Sequence, residues 1–334
     1  MQLPISLIDT TEKVGNDINL VQGPGGNISY KDNGFMFIKA SGKKMSDARK
    51  KNIFVKTNHE KILGAIQRKE KDPIKNSWEE SNQIRPSIET SMHAIMPHKC
   101  VLHVHCVNTL SWIVQENYVD KINLILRNEN WSSVPYKKPG ISLSREIKNI
   151  IEKKKVDVIL LSNHGIVTGA DNPEKAYEIT KRISERLFQG ELKENKVNIN
   201  DFDNFLLSKK YKLPKHEYVH RIAFSMKHIN MVTNGDLFPD QIVFLNHGIV
   251  LAENVFDMNN LIKLSNSKLP IILIPNKGVL VPQNFKEVNE DTLLGLSMII
   301  SRIPENSSLN YLTKKQRNEL INWDLEKHRQ KINN

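Results

Sequence analysis

Two histidines one residue apart, His103 and His105, interrupt the apolar run Val101-Leu102-His103-Val104-His105-Cys106-Val107. Side chains alternate across a strand, so this spacing predicts both imidazoles on one face and Leu102, Val104 and Cys106 on the other. Neutral imidazole is a favoured ligand for zinc and other borderline transition metals, and a pair at i and i+2 can converge on one ion. Just upstream lies a carboxylate, Glu89, in Arg85-Pro86-Ser87-Ile88-Glu89-Thr90-Ser91-Met92-His93. A third imidazole, His164, falls in Leu160-Leu161-Ser162-Asn163-His164-Gly165-Ile166-Val167, a strand pattern broken by a polar turn. One histidine on an apolar strand is more often a satisfied polar residue than a ligand. An H-x-H pair with a nearby Glu and a distant Asn-His-Gly turn is a much stronger signal.

Two further segments lie upstream, Gly26-Asn27-Ile28-Ser29 and Ala40-Ser41-Gly42-Lys43. With Ser87-Ile88-Glu89-Thr90-Ser91-Met92-His93, His103-Val104-His105 and Asn163-His164-Gly165 they form an ordered set that resembles the class II aldolase/adducin family. The resemblance covers about residues 15 to 190, and the set in order is far more specific than any one member. The wording RPSIET and the continuation beyond residue 200 look most like the aldolase part of bifunctional rhamnulose-phosphate aldolase/dehydrogenase proteins. No counterpart of their short-chain dehydrogenase half is expected in this sequence.

The resemblance implies a catalytic Zn2+, or another divalent transition metal, on His103, His105 and His164, with an open position for water or substrate. It implies that Glu89 moves the proton and ligates the metal when substrate is absent. The plainer reading of Glu89 is a first-turn carboxylate favoured by a helix dipole. By the same resemblance Gly26, Asn27, Ser41, Gly42 and Ser87 hold a phosphate through amides and hydroxyls, as anion nests do; the alternative is ordinary turn chemistry. One departure is Ile88, where many phosphate-binding members have a second serine. The glycine-rich Gly23 to Ser29 is not a dinucleotide fingerprint, because Ile28 stands where G-x-G-x-x-G needs its last glycine. Lys43 is a further candidate for the anion. Tyr118 and Tyr136 lie where a proton donor is wanted, but neither falls in a matching motif.

Composition narrows the class. Charged residues at 25% and hydrophobic ones at 39% are ordinary for a globular chain of 334 residues. The net charge of +11 is spread over short lysine groups with no basic stripe interleaved with aromatics, so specific nucleic-acid binding is not expected. Attraction of anionic substrates is the expected benefit. The start has no basic n-region or sustained apolar h-region, and no run is long enough to span a bilayer. Cys100 and Cys106 lie in or beside one strand, so no disulfide framework is expected and a cytoplasmic, non-membrane enzyme fits.

The elements that must position these residues follow from periodicity. Helices are expected over Leu7 to Val21, Asn58 to Arg68, Arg145 to Lys154 and Pro173 to Leu187; strands over Phe35 to Ala40 and Val156 to Leu161, besides the H-x-H strand. A polar, lysine-rich stretch from about 190 to 217 separates a class II aldolase-like catalytic region, residues 1–195, from a second region, residues 210–334. Strands are expected there at Gln241 to Leu245, Gly248 to Leu251 and Ile271 to Ile274, and helices near Glu290 to Ile303 and at the charged end. His247, in a second Asn-His-Gly echo, lacks converging partners and reads as turn chemistry. The fold class is therefore α/β; for the first region the resemblance implies a three-layer domain with a central, mainly antiparallel sheet between helices, and the second region is expected to be a smaller mixed α/β domain. The expected function is zinc-dependent reversible aldol cleavage of a small phosphorylated sugar, a rhamnulose- or fuculose-1-phosphate type ketose, to dihydroxyacetone phosphate and an aldehyde. The rivals are a 4-epimerase or dehydratase on the same scaffold and a non-catalytic adducin-like interaction protein. The resemblance implies a homo-oligomer such as a tetramer.

Overall fold

The strands that the metal motif requires form the centre of a seven-stranded sheet. They are β1 (Asn27–Asp32), β2 (Phe35–Lys39), β3 (Phe54–Asn58), β4 (Cys100–Val104), β5 (Trp131–Val134), β6 (Val158–Leu161) and β7 (Gly165–Ala170), in the order β3-β2-β1-β4-β7-β6-β5. Every neighbouring pair is antiparallel except β5 with β6. The computed structural model describes residues 2–79, 84–191, 197–206, 209–245, 247–264 and 268–333.

The helices of this part are α1 (Ile5–Gly15), α2 (His59–Gln67), α3 (Thr90–Ile95), α4 (Val107–Ile113), α5 (Tyr118–Ile125), α6 (Ile141–Ile151) and α7 (Pro173–Arg186). Leu7, Leu110 and Ile183 from α1, α4 and α7 share a core with Ile28, Leu102, Val104 and Ile166. On the other face Met92, Leu143 and Ile147 from α3 and α6 pack on Val101, Ile159 and Val167, while Ile62 of α2 packs on Met36 and Ile38. The sheet is thus the middle of three layers, and β4 alternates between the two cores as its sequence predicts. Helix α1 stops at Gly15, short of the expected Val21. A Cβ there would lie 2.1 Å from the backbone nitrogen of Ser46, so a neighbouring chain segment already occupies the space a side chain would take.

The second region holds β8 (Tyr211–Lys212), β9 (Ile249–Leu251), β10 (Ile271–Ile274) and β11 (Gly278–Pro282), ordered β8-β11-β10-β9 with only β9 and β10 parallel. Its helices are α8 (Asp203–Leu206), α9 (Met226–Thr233), α10 (Pro239–Phe244), α11 (Val255–Leu264), α12 (Glu287–Ser301), α13 (Lys314–Ile321) and α14 (Asp324–Asn333). The expected strand at Gln241 to Leu245 is instead helix α10. Pro239 opens it at a first-turn position, Leu245 N–H closes on Gln241 O, and a run of four apolar residues does not distinguish the two structures. Asn246 of the second Asn-His-Gly lies outside the described residues, as do residues 192–196, 207 and 208 around the expected boundary.

Packing joins the two regions closely. Val219, Ile222, Leu237, Leu293 and Ile299 belong to the same buried cluster as Leu7, Leu102 and Ile166. Arg302, just after α12, donates to the side-chain oxygens of Asn108 and Asn19 at 2.8 and 2.9 Å. Among the described residues, no helix is long and apolar enough to cross a membrane.

Candidate metal centre

Strand register assembles the site. Asn27 on β1 pairs with His103 on β4, Ser29 pairs with Val101, and His103 pairs on its other side with Val167 of β7. Directly opposed residues point to one face, so Asn27, Ser29 and His103 look together toward α3, whose N-terminus carries Glu89. His105 follows one residue beyond β4. His164 occupies the tight β6–β7 turn, where Asn163 takes a left-handed φ of 55° and His164 N–H bonds Leu161 O at 2.9 Å. Gly165 makes that turn possible: a Cβ there would sit 2.4 Å from the carbonyl oxygen of Val104. The ring centroids of His103, His105 and His164 are then 4.9 to 5.3 Å apart, and one nitrogen from each lies within 4.8 Å of the others.

The hydrogen bonds of two of these rings choose which nitrogen faces inward. His103 Nδ1 is 3.0 Å from Ile166 O, which only a ring N–H can satisfy, so its Nε2 carries the lone pair. That Nε2 is buried without a hydrogen-bond partner. His105 Nδ1 lies 2.9 Å from Asp240 Oδ2, which leaves its Nε2 free to ligate. His164 directs Nε2 at Glu89 Oε1, 3.4 Å away, while Glu89 Oε2 is 3.4 Å from His103 Nε2. Burial pulls His103 below the usual imidazole range and His164 down to about 3, so both are neutral, the form that binds metal. A buried, unpartnered imidazole nitrogen costs free energy, of order 1–3 kcal/mol. A divalent cation among the three rings would satisfy it. The donor set fits such an ion.

Glu89 is buried, which by itself would raise its pKa. In the acid range where a carboxyl titrates, positive charge on His103 and His164 and a hydrogen bond from Asn27 more than reverse this, so at neutral pH the carboxylate is ionised. Asn27 Nδ2 donates to Glu89 Oε2 at 2.8 Å and to Ser87 Oγ at 3.2 Å. The amide is oriented by His93, whose Nε2 bonds Asn27 Oδ1 and whose Nδ1 bonds Ser29 Oγ at 2.8 Å. His93 is thus an outer support of the carboxylate.

Gly26, Asn27, Ser41, Gly42 and Ser87 all line the pocket that contains Glu89, His105 and His164. The Ser41 amide already donates to Arg85 O at 2.9 Å, so Ser41 offers a ligand its hydroxyl. Ile88 lines the same pocket and brings no donor. Lys43 is not among the lining residues; its carbonyl receives Lys39 Nζ at 2.5 Å, and Lys39 is the lysine that reaches the pocket. Burial brings the Lys39 ammonium down to about 7. Tyr118 bonds Ser162 Oγ at 2.8 Å and Tyr136 packs against Ile242 and Leu320; neither lines the pocket. His247 bonds Leu269 O at 3.0 Å in a different pocket, beside Lys268. Among the described residues no second group of candidate metal ligands accompanies the three histidines.

Sequence reasoning misses Lys39, Asp240, Glu326 and Arg329, all of which line this pocket. Lys39 leaves a signal, a charge that ends the apolar run Phe35-Met36-Phe37-Ile38 two residues before Ser41-Gly42. Asp240 looks like a turn acid before an expected strand, and Glu326 and Arg329 look like part of a solvated terminal helix; only tertiary folding brings them in.

A model of the Class II Aldolase and Adducin N-terminal domain matches residues 6–189. A curated relative, the uncharacterized oxidoreductase YuxG of Bacillus subtilis (strain 168), is 28% identical over 193 residues, 53% of this chain and 28% of that protein. The chain therefore spans little more than a quarter of that relative's length. Among solved structures, the N-terminal class II aldolase domain of a conserved protein from Thermoplasma acidophilum is 28% identical, with a TM-score of 0.49 over 56% of this chain and 95% of that one. L-fuculose-1-phosphate aldolase from Thermus thermophilus is 15% identical, with a TM-score of 0.40 over 55% and 92% of the two chains.

Proposed function

The chain belongs to the class II aldolase and adducin family, and from that premise we propose that it is a zinc-dependent lyase that cleaves a ketose phosphate reversibly to dihydroxyacetone phosphate and an aldehyde. One observation carries the reading: three buried imidazoles converge, and two of them, His105 and His164, line one pocket with an ionised Glu89 and with Asn27, Ser41, Gly42 and Ser87. A non-catalytic, adducin-like role would not require that set to be complete.

His103, His105 and His164 would hold the ion through Nε2. A divalent cation there supplies Lewis-acid stabilisation of the negative charge that carbon–carbon cleavage leaves on the substrate oxygens. Glu89 accepts and returns the proton, kept ionised at neutral pH and aimed by Asn27. Ser41 and Ser87 offer hydroxyls to the phosphate, with the Lys39 amine nearby. Glu326 and Arg329 line the pocket and are themselves buried. The free, buried Cys100 and Cys106 go with a reducing, cytoplasmic setting, and a homo-oligomer is part of the same reading.

Metal-restored protein, offered a panel of ketose phosphates, is expected to release dihydroxyacetone phosphate and aldehyde. Conversion to an epimer, or loss of water without aldehyde, would replace the aldol reaction by an epimerase or a dehydratase. His103→Ala and His105→Ala are each expected to lose the ion on elemental analysis; full retention in both removes the metal site.

A further inference from the structure

The three candidate ligands differ in what their outer ring nitrogens meet. His103 Nδ1 bonds a backbone carbonyl, and His164 Nδ1 is buried without a hydrogen-bond partner. His105 Nδ1 faces a carboxylate, Asp240 Oδ2, at 2.9 Å. Asp240 comes from the start of α10, in the half of the chain beyond the family-matched segment. Its other oxygen receives Arg329 Nη2 of α14 at 3.0 Å, and Arg329 Nη1 is 3.1 and 3.0 Å from the two oxygens of Glu326. All three side chains are buried, at 5%, 8% and 1% exposure for Asp240, Arg329 and Glu326.

Taking the three histidines to hold a divalent cation, we propose that Asp240 is a positioning residue for that centre: it fixes His105 as the Nδ1–H tautomer, with Arg329 holding the carboxylate in place. An ionised carboxylate only accepts hydrogen bonds, so the proton of the pair sits on Nδ1 and the Nε2 lone pair points away. The opposite side of the ring faces His103 and His164, whose centroids are 5.1 and 5.3 Å away. A carboxylate behind a ligating imidazole also raises the basicity of the inner nitrogen. The glycine-rich turn is an independent sign that this contact is built. A Cβ on Gly25 would stand 3.0 Å from His105 Nδ1 and 3.2 Å from Asp240 Oδ2, crowding the pair that the hydrogen bond joins. A salt bridge serving only to bind α14 to α10 would need Arg329 and one carboxylate, and no contact with a candidate ligand. The second region of the chain therefore completes the outer shell of the metal centre.

Three measurements on the full chain test this. In metal-free protein labelled with 15N-histidine, long-range proton–nitrogen spectra are expected to show His105 protonated on Nδ1; protonation on Nε2 overturns the proposal. Zinc affinity, read by competition with a chromogenic chelator, is expected to fall about 10–100-fold in Asp240→Asn, in the range typical for outer-shell partners of metal ligands. Gly25→Ala is expected to weaken zinc in the same direction by spreading the pair. Affinity in folded Asp240→Asn within about twofold of the parent makes the contact structural only, because a true orienting partner costs more. Should Asp240→Asn fail to fold, the tautomer of the parent and the affinity of Gly25→Ala decide. If the parent itself binds no zinc, the metal reading of the site fails, and the tautomer result still stands on its own.

Discussion

Replacing Asn163 probes the turn that presents His164, and its cost can be worked from the structure. The Asn163 side chain donates two hydrogen bonds to backbone carbonyls of the second region, Leu237 O at 2.9 Å and Asn310 O at 2.6 Å. Each is worth about 1 kcal/mol net. The residue also holds φ at 55°, a conformation in which alanine is disfavoured by about 1 kcal/mol or more. Asn163→Ala should therefore cost about 3 kcal/mol, two-thirds of it from the bonds and one-third from the backbone. Asn163→Gly loses the same bonds but is at ease at positive φ, so it should cost about 2 kcal/mol. Unfolding entropy of about 2.1 cal/mol/K per residue gives about 0.7 kcal/mol/K for the 334-residue chain. The melting point should then fall by about 4 °C in Asn163→Ala and by about 3 °C in Asn163→Gly, if unfolding is cooperative. Calorimetry of the metal-free proteins reads the shifts, and chelator competition reads whether His164 still binds. Both variants melting within about 1 °C of the parent, or glycine proving worse than alanine, would refute this account of the turn.

Glu89→Gln is expected to keep the fold and most of the metal while losing at least about a hundredfold in rate, the usual scale for general acid–base catalysis; near-parent turnover on the identified substrate would make Glu89 structural. His220 is buried, accepts Val279 N–H on Nδ1 at 2.9 Å, and is brought by burial from 6.5 to about 4. Its folded form resists protonation, so stability present above about pH 6.5 should be lost as pH falls toward 4, by up to about 3 kcal/mol. Urea midpoints should show that decline reduced in His220→Gln, and an unchanged pH slope would disprove the assignment. Light scattering is expected to find a homo-oligomer, and a fully active monomer of 38.4 kDa would show that one chain carries a complete site.

What the sequence reveals about the site depends on how local each signal is. His103 and His105 share one strand run, so their common face is readable from period-two alternation alone, and the glycine after His164 marks its turn. Glu89 starts one short helix and His93 lies in its last turn, but their relation to Asn27 is not readable. It depends on β1 pairing with β4 in the register that sets Asn27 opposite His103. The segment Gly26-Asn27-Ile28-Ser29, which reads as a phosphate loop, hides a strand, because Asn27 and Ser29 occupy the inward positions where a strand pattern expects apolar residues. The same polar substitution of an inward face lets Lys39 pass as the end of an ordinary strand.

The second region fails differently, and the reason bears on how the site works. Helix α10 reads as a strand because Ile242, Val243, Phe244 and Leu245 are buried on nearly every side, which erases the periodicity that separates helix from strand. Helix α14 reads as a solvated element because of its charges, whereas inside the protein Arg329 pairs with both Glu326 and Asp240. Leaving any one of the three charges buried without partners would cost several kcal/mol. The set must therefore form together, and it can form only when α10 and α14 have packed against each other beside His105. His105 is thereby oriented only in the fully folded chain, so metal affinity at the three histidines should report the docking of residues that supply no ligand themselves.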